Sequence, residues 1–258
     1  MAEFPDRETV ERARLTVALF RPDDDRLADG VELLRSLGAT PVPDPMLAVE
    51  PTDATPRQAE YVVFTSKTGV ELAAEAGWEP DDAVVCAIGS RTARALREAG
   101  YRVDLVPEEF TSAGLVAALE ADVDGASVEV ARSDHGSAVL LEGLREAGAD
   151  VHETVLYRLV RPEDSGRSTE LAADGDLDVA LFTSSLTVEH FLDAAEAGGI
   201  REEAIAGLNE AVVAAIGAPT RETAESLGVA VDLVPETASF EALATEAVEF
   251  AAPSHEGE

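Results

Sequence analysis

Hydroxyl-bearing residues gather at four places where a short apolar run gives way to a segment of helix length. They are Thr65-Ser66, Gly89 with Thr92, Thr183-Ser184-Ser185, and Gly217 with Thr220. Turns of that kind open helices. A helix start offers unpaired backbone N–H groups and the positive end of the peptide dipole, which is what holding a carboxylate or a phosphate requires. Simple helix capping is the competing use of the two threonines. Arg21, behind another apolar run, could add a charge-assisted contact, with a surface ion pair as its alternative. Tyr157 carries a phenol able to donate a hydrogen bond, and packing is its alternative role.

Other chemistries find little support. The four histidines, His135, His152, His190 and His255, lack metal-ligand spacing, and His152-Glu153 has no second histidine four residues on. Neither a GxGxxG run nor a P-loop is present, so neither a cofactor nor a metal is expected. The single cysteine, Cys86, sits inside an apolar run and reads as a small buried hydrophobe. The acidic run Asp23-Asp24-Asp25 suits the positive end of a helix better than a carboxylate metal site.

The elements that must position these groups come from an internal duplication. Residues 85–110, VCAIGSRTARALREAGYRVDLVPEEF, align without a gap on residues 213–238, VAAIGAPTRETAESLGVAVDLVPETA, with 12 of 26 positions identical. Each unit reads as a strand ending at Gly89 or Gly217, a helix running to Gly100 or Gly228, and a second strand, DLVP, closed by a proline. The repeat extends outward. LTVALF (15–20) corresponds to SVEVAR (127–132), and YVVFTS (61–66) to VALFTS (179–184). Helices are expected from about Arg26 to Leu37, from Ala113 to Glu120 and from Phe240 to Phe250, with extended connectors at 39–51 and 153–162. Strands alternating with helices imply parallel sheets with right-handed crossovers, and ligands in such sheets bind beyond the carboxyl ends of the strands. Two similar α/β lobes of five strands each, with a cleft between them, is the expected architecture.

Composition narrows the setting. The chain of 258 residues holds 52 acidic against 19 basic side chains, a formal net charge of −33, and Lys67 is its only lysine. A dispersed acidic shell of this kind suits concentrated salt, where charges are screened within a few ångströms. With no basic stripe to displace counterions, nucleic acid is not an expected partner. No apolar run approaches the length of a membrane span, the charged start lacks a signal-peptide core, and a cytoplasmic location is expected. Residues 1–13 and 252–258 are expected as flexible tails.

The ordered segments resemble uroporphyrinogen-III synthase. They are Arg21-Pro22, Phe64-Thr65-Ser66 with Gly69-Val70, Ile88-Gly89 with Thr92, Val106-Pro107-Glu108, Tyr157, Phe182-Thr183-Ser184-Ser185, Ile216-Gly217 with Thr220, and Val234-Pro235-Glu236. Two departures stand out: Lys67-Thr68 occupy the place of a common asparagine, and Pro219 precedes Thr220 where small residues are usual. The resemblance implies two flavodoxin-like lobes joined by a two-stranded ladder, one from about 14–42 with 160–250 and the other from 46–156. It implies an enzyme, a lyase, that cyclises hydroxymethylbilane with inversion of its last ring and loss of water. It further implies no cofactor, a monomer, and a substrate received from hydroxymethylbilane synthase. Tyr157 becomes the expected donor to the departing hydroxyl. Arg21, Thr65, Ser66, Gly89, Thr92, Thr183, Ser184, Ser185, Gly217 and Thr220 become expected substrate contacts. A non-catalytic binding protein of the same fold is the alternative.

Overall fold

The computed structural model describes residues 14–252. The expected tails lie outside those residues but for Ala252, the C-cap of the last helix. The chain opens with β1 (Thr16–Leu19), α1 (Asp25–Ser36) and β2 (Thr40–Pro43). It continues through β3 (Ala48–Pro51), β4 (Tyr61–Phe64), α2 (Lys67–Glu75), β5 (Val84–Ala87), α3 (Ser90–Glu98), α4 (Ser112–Leu119), β6 (Ser127–Ser133), α5 (Ala138–Glu146) and β7 (Asp150–Val160). The last stretch carries α6 (Arg167–Asp174), β8 (Val179–Phe182), α7 (Ser185–Ala197), α8 (Arg201–Leu208), β9 (Val212–Ala215), α9 (Ala218–Ser226) and α10 (Phe240–Ala251).

These elements form two compact units. Of the described residues, the first takes 14–48 together with 161–252, and the second is Val49–Val160. The first contains a sheet of order β2-β1-β8-β9, with every neighbouring pair parallel. The second contains the order β3-β7-β6-β4-β5, in which β7, β6, β4 and β5 are mutually parallel. Setting β3 aside, the two sheets are the same. β1 and β2 of the first repeat complete β8 and β9 of the second, while β6 and β7 of the second complete β4 and β5 of the first.

The apolar runs explain why these strands lie at the centre. In β1 and β8, Ala18 and Ala180 face one core with Phe20, Phe182 and Phe191, while Val17, Leu19, Val179 and Leu181 face another with α1 and α10. Both faces are covered, so the strands need no polar alternation. Phe20 stacks on Phe182 at 4.6 Å between centroids, and Phe191 meets both edge-on. In the second unit Val62, Phe64, Val85 and Ala87 face one core and Val63, Cys86, Val128 and Val130 the other.

The two DLVP runs are shorter than expected. Each contributes a single parallel bridge, Cys86 with Leu105 and Ala214 with Leu233. The Asp104 carboxylate accepts the Val85 N–H at 2.9 Å, and the Asp232 carboxylate accepts the Val213 N–H at 2.8 Å. The strand is therefore cut to one residue by its own side chain on one side and by proline, which has no N–H to donate, on the other.

Asp24 caps α1, accepting the Arg26 N–H at 2.9 Å. Its hydrogen bond to the Arg26 guanidinium outweighs partial burial and holds the carboxyl below its ordinary pKa. Asp44, which follows β2, is buried. It accepts from the Gly166 N–H at 2.9 Å, the Ser168 N–H at 2.8 Å and the Ser168 hydroxyl. Gly166 has φ +123, a conformation that a side chain would strain. Nearby, His190 Nδ1 lies 2.5 Å from the Met46 carbonyl oxygen.

Cys86 has no exposed surface. Burial, and secondarily Asp104, push its thiol pKa up to about 12. Because the thiolate is the reactive form, the native protein is expected to ignore iodoacetamide at pH 8 and to take up one equivalent after unfolding. Prompt labelling of folded protein would contradict that placement.

Candidate active site

At the carboxyl ends of β4, β6 and β7 lies a pocket of about 240 Å³ lined by Thr65, Ser66, Arg132, Ser133, His135, Ser137 and Tyr157, among others. Parallel pairing brings these ends to one rim, with Ser133 level with Tyr157 after a register shift between Arg132 and Ser133. The Tyr157 side chain is only 6% exposed, and its hydroxyl donates to Ser66 Oγ at 3.0 Å. Ser66 is the N-cap of α2 and accepts the Gly69 N–H, also at 3.0 Å. A Cβ at position 69 would sit 3.1 Å from Ser66 Oγ and 3.3 Å from Leu156, so glycine suits the close packing there.

Arg132, Ser133, His135 and Ser137 were not among the expected site residues. The buried Arg132 guanidinium donates from Nε to Glu153 at 2.6 Å and from a terminal nitrogen to the Ser137 carbonyl at 2.6 Å. A Cβ on Gly136 would fall 2.5 Å from Arg132 Cδ, so the 133–137 loop wraps closely around this side chain. Asp134 fastens the loop to β7. Its carboxylate accepts the Leu159 N–H at 3.0 Å and lies 2.9 Å from His135 Nδ1, while its own N–H donates to the Tyr157 carbonyl at 3.2 Å. Burial pushes the Asp134 carboxyl up, but His135 and the Leu159 N–H together outweigh it, leaving a net pKa below the ordinary value. A signal for this loop existed in the repeat, since pairing SVEVAR with LTVALF places residues 133–137 opposite the segment that begins with Arg21-Pro22.

The histidines fall in separate places: His135 in the pocket, His152 against the buried Glu129 at 2.6 Å, and His190 at the Met46 carbonyl. His255 lies outside the described residues.

Gly89 and Gly217 are themselves the N-caps of α3 and α9, and neither helix start has a side-chain cap among the described residues. Thr92 and Thr220 fall at the third position of their helices and are each 4% exposed. They are therefore not caps, because the glycine ahead of each takes the boundary. What remains at each start is a set of backbone donors without a competing side chain. Pro219, in the first turn of α9, removes one of them.

The other expected contacts lie in the first unit. Ser184 caps α7 in a capping box with Thr187, and Thr183 precedes it at the end of β8. Ser185 donates to the Pro219 carbonyl at 3.1 Å and accepts from the Thr223 hydroxyl at 2.9 Å, tying α7 to the start of α9. The Arg21 guanidinium lies 4.5 Å from the centroid of the Phe240 ring, and among the described residues it makes no ion pair of the kind considered for it. Burial, followed by repulsion from Arg26, lowers its pKa from an ordinary value so high that the group stays charged.

Two parallel sheets of flavodoxin-type strand order, each with polar groups at its carboxyl edge, define a doubly wound α/β protein built twice over. The sequence pattern described as "Uroporphyrinogen-III synthase HemD" matches residues 29–245. A Methanothermobacter thermautotrophicus protein provisionally named uroporphyrinogen-III synthase is 37% identical over 230 residues, spanning 83% of this chain and 90% of its own length. The uroporphyrinogen-III synthase of Chlorobaculum parvum is 30% identical over 156 residues, 59% of this chain and 60% of that protein. Among solved structures, a mutant uroporphyrinogen III synthase from the extremely thermophilic bacterium Thermus thermophilus shares the fold with a TM-score of 0.66 at 22% identity, covering 92% of this chain and 98% of that one. The chain belongs to the uroporphyrinogen-III synthase family.

Proposed function

We propose that this chain closes hydroxymethylbilane to uroporphyrinogen III as a lyase. The hydroxymethyl C–O bond breaks, the hydroxyl leaves as water, and the last ring is inverted as the macrocycle closes. No electrons are gained or lost overall, so the reaction asks for no redox cofactor. Because the substrate also closes unaided to the other isomer, the protein's main contribution is to hold one folded conformation. The same instability favours direct receipt from hydroxymethylbilane synthase.

The observation that carries this reading is the Tyr157–Ser66 couple in a polar pocket at the carboxyl edge of the second unit. Tyr157 is the proton source for the departing hydroxyl, and Thr65, Ser66, Gly89 and Thr92 are substrate contacts in that unit. In the first unit Arg21, Thr183, Ser184, Ser185, Gly217 and Thr220 have the same role, with the uncapped start of α9 and the Arg21 guanidinium the strongest anion-holding groups among them. These donors are local exceptions to a net charge of −33 and give a carboxylated substrate somewhere to bind.

The test is to supply freshly made hydroxymethylbilane in high salt, oxidise the product and separate the porphyrin isomers. Isomer III is expected, and isomer I alone at the spontaneous rate would leave only a binding protein. Tyr157→Phe is expected to slow isomer III formation by on the order of 100-fold. An unchanged rate would take Tyr157 out of the mechanism.

A further inference from the structure

We infer that Ser66 is the group that touches the departing hydroxyl, with Tyr157 feeding it a proton from behind. This rests on the reaction proposed above and concerns which atom of the pocket meets the substrate. A serine hydroxyl has one proton to donate and two lone pairs to accept with. Both lone pairs of Ser66 Oγ are occupied, one by the Gly69 N–H and one by the Tyr157 hydroxyl, each at 3.0 Å. Its own proton has no acceptor among the described residues, so it is left for whatever enters the pocket that Ser66 lines. Tyr157 has the opposite arrangement. Tyr157 is 6% exposed, and in the inferred arrangement its single proton is directed at Ser66.

The position of Ser66 is fixed twice, by the α2 N-terminus and by Tyr157, and the positive end of that helix lies behind the oxygen. A hydroxyl held this way strengthens its donated hydrogen bond as negative charge grows on the leaving oxygen, and the Tyr157 bond reinforces it cooperatively. The step balances. The C–O bond breaks with its electron pair going to oxygen, which takes the Ser66 proton and leaves as water. Ser66 takes the phenolic proton of Tyr157. The proton that the substrate releases when the closing ring regains its aromaticity returns along the same two oxygens, so the couple ends neutral.

A double-mutant cycle decides between this and direct contact by Tyr157. Ser66→Gly removes the hydroxyl while leaving a residue well accepted at an N-cap. Isomer III formation would be measured for the wild type, Ser66→Gly, Tyr157→Phe and the double variant, with melting temperatures alongside. Each single change is expected to lower kcat by on the order of 100-fold with KM within about twofold, and the double is expected to be no slower than the slower single. A wild-type kcat in Ser66→Gly, or single losses that multiply in the double, would overturn the relay while leaving the proposed reaction in place. A wild type yielding only isomer I would remove the reaction itself.

Discussion

Asp44→Ala is expected to lower stability by about 3 kcal/mol, because a buried carboxylate that accepts three hydrogen bonds is lost and its donors are stranded. For a protein of this size that corresponds to a fall in melting temperature of about 6 °C. The donors are the Gly166 and Ser168 N–H groups, at the start of α6, and the Ser168 hydroxyl. Ser168 is fully buried, so water cannot easily replace the lost acceptor. Asp44 thus caps α6 from 122 residues away, joining the chain's outgoing stretch to its return. Asp44→Asn keeps one acceptor oxygen and should lose roughly half as much. A loss below about 1 kcal/mol for the alanine variant would mean that these contacts contribute little beyond solvent exchange.

Arg132→Ala should also cost about 3 kcal/mol, since it leaves Glu153 and the Ser137 carbonyl without their donor. The second consequence is functional. The 133–137 loop is moulded on the guanidinium, so its removal should lower isomer III formation even well below the melting temperature. Arg132→Met combined with Glu153→Leu separates the two effects. It should restore most of the stability, because a largely desolvated pair replaced by apolar groups is often neutral, while the rate stays low. Recovery of both would reduce Arg132 to a packing role.

How much of this was legible from residues alone varied with the range of the interaction involved. The strands were legible because runs such as TVAL and VALF are buried on both faces and tolerate no polar interruption. The helix starts were legible because Ser66 and Ser184 cap their own helices within three residues. The DLVP runs misled because β propensity said nothing about an aspartate that would claim the neighbouring strand's N–H. Capping, the alternative use of Thr92 and Thr220, misled because a glycine ahead of each took the cap position. Arg132 was missed for a different reason. Its importance depends on Glu153, 21 residues away, and on the loop that folds back over it, and neither is a local property of the sequence. The Tyr157–Ser66 bond, spanning 91 residues, is of the same kind.

The exchange of strands between the two repeats has a consequence for how the protein is made. Val49–Val160 is one uninterrupted stretch, so it can finish folding while the ribosome is still adding the remainder. The opening strand β1 has no such option. β2 follows it at once on one side, but its other neighbour β8 is not translated until residue 179, so one edge of this apolar strand must wait through most of synthesis. The acidic residues around it then serve as a guard against premature aggregation during that wait.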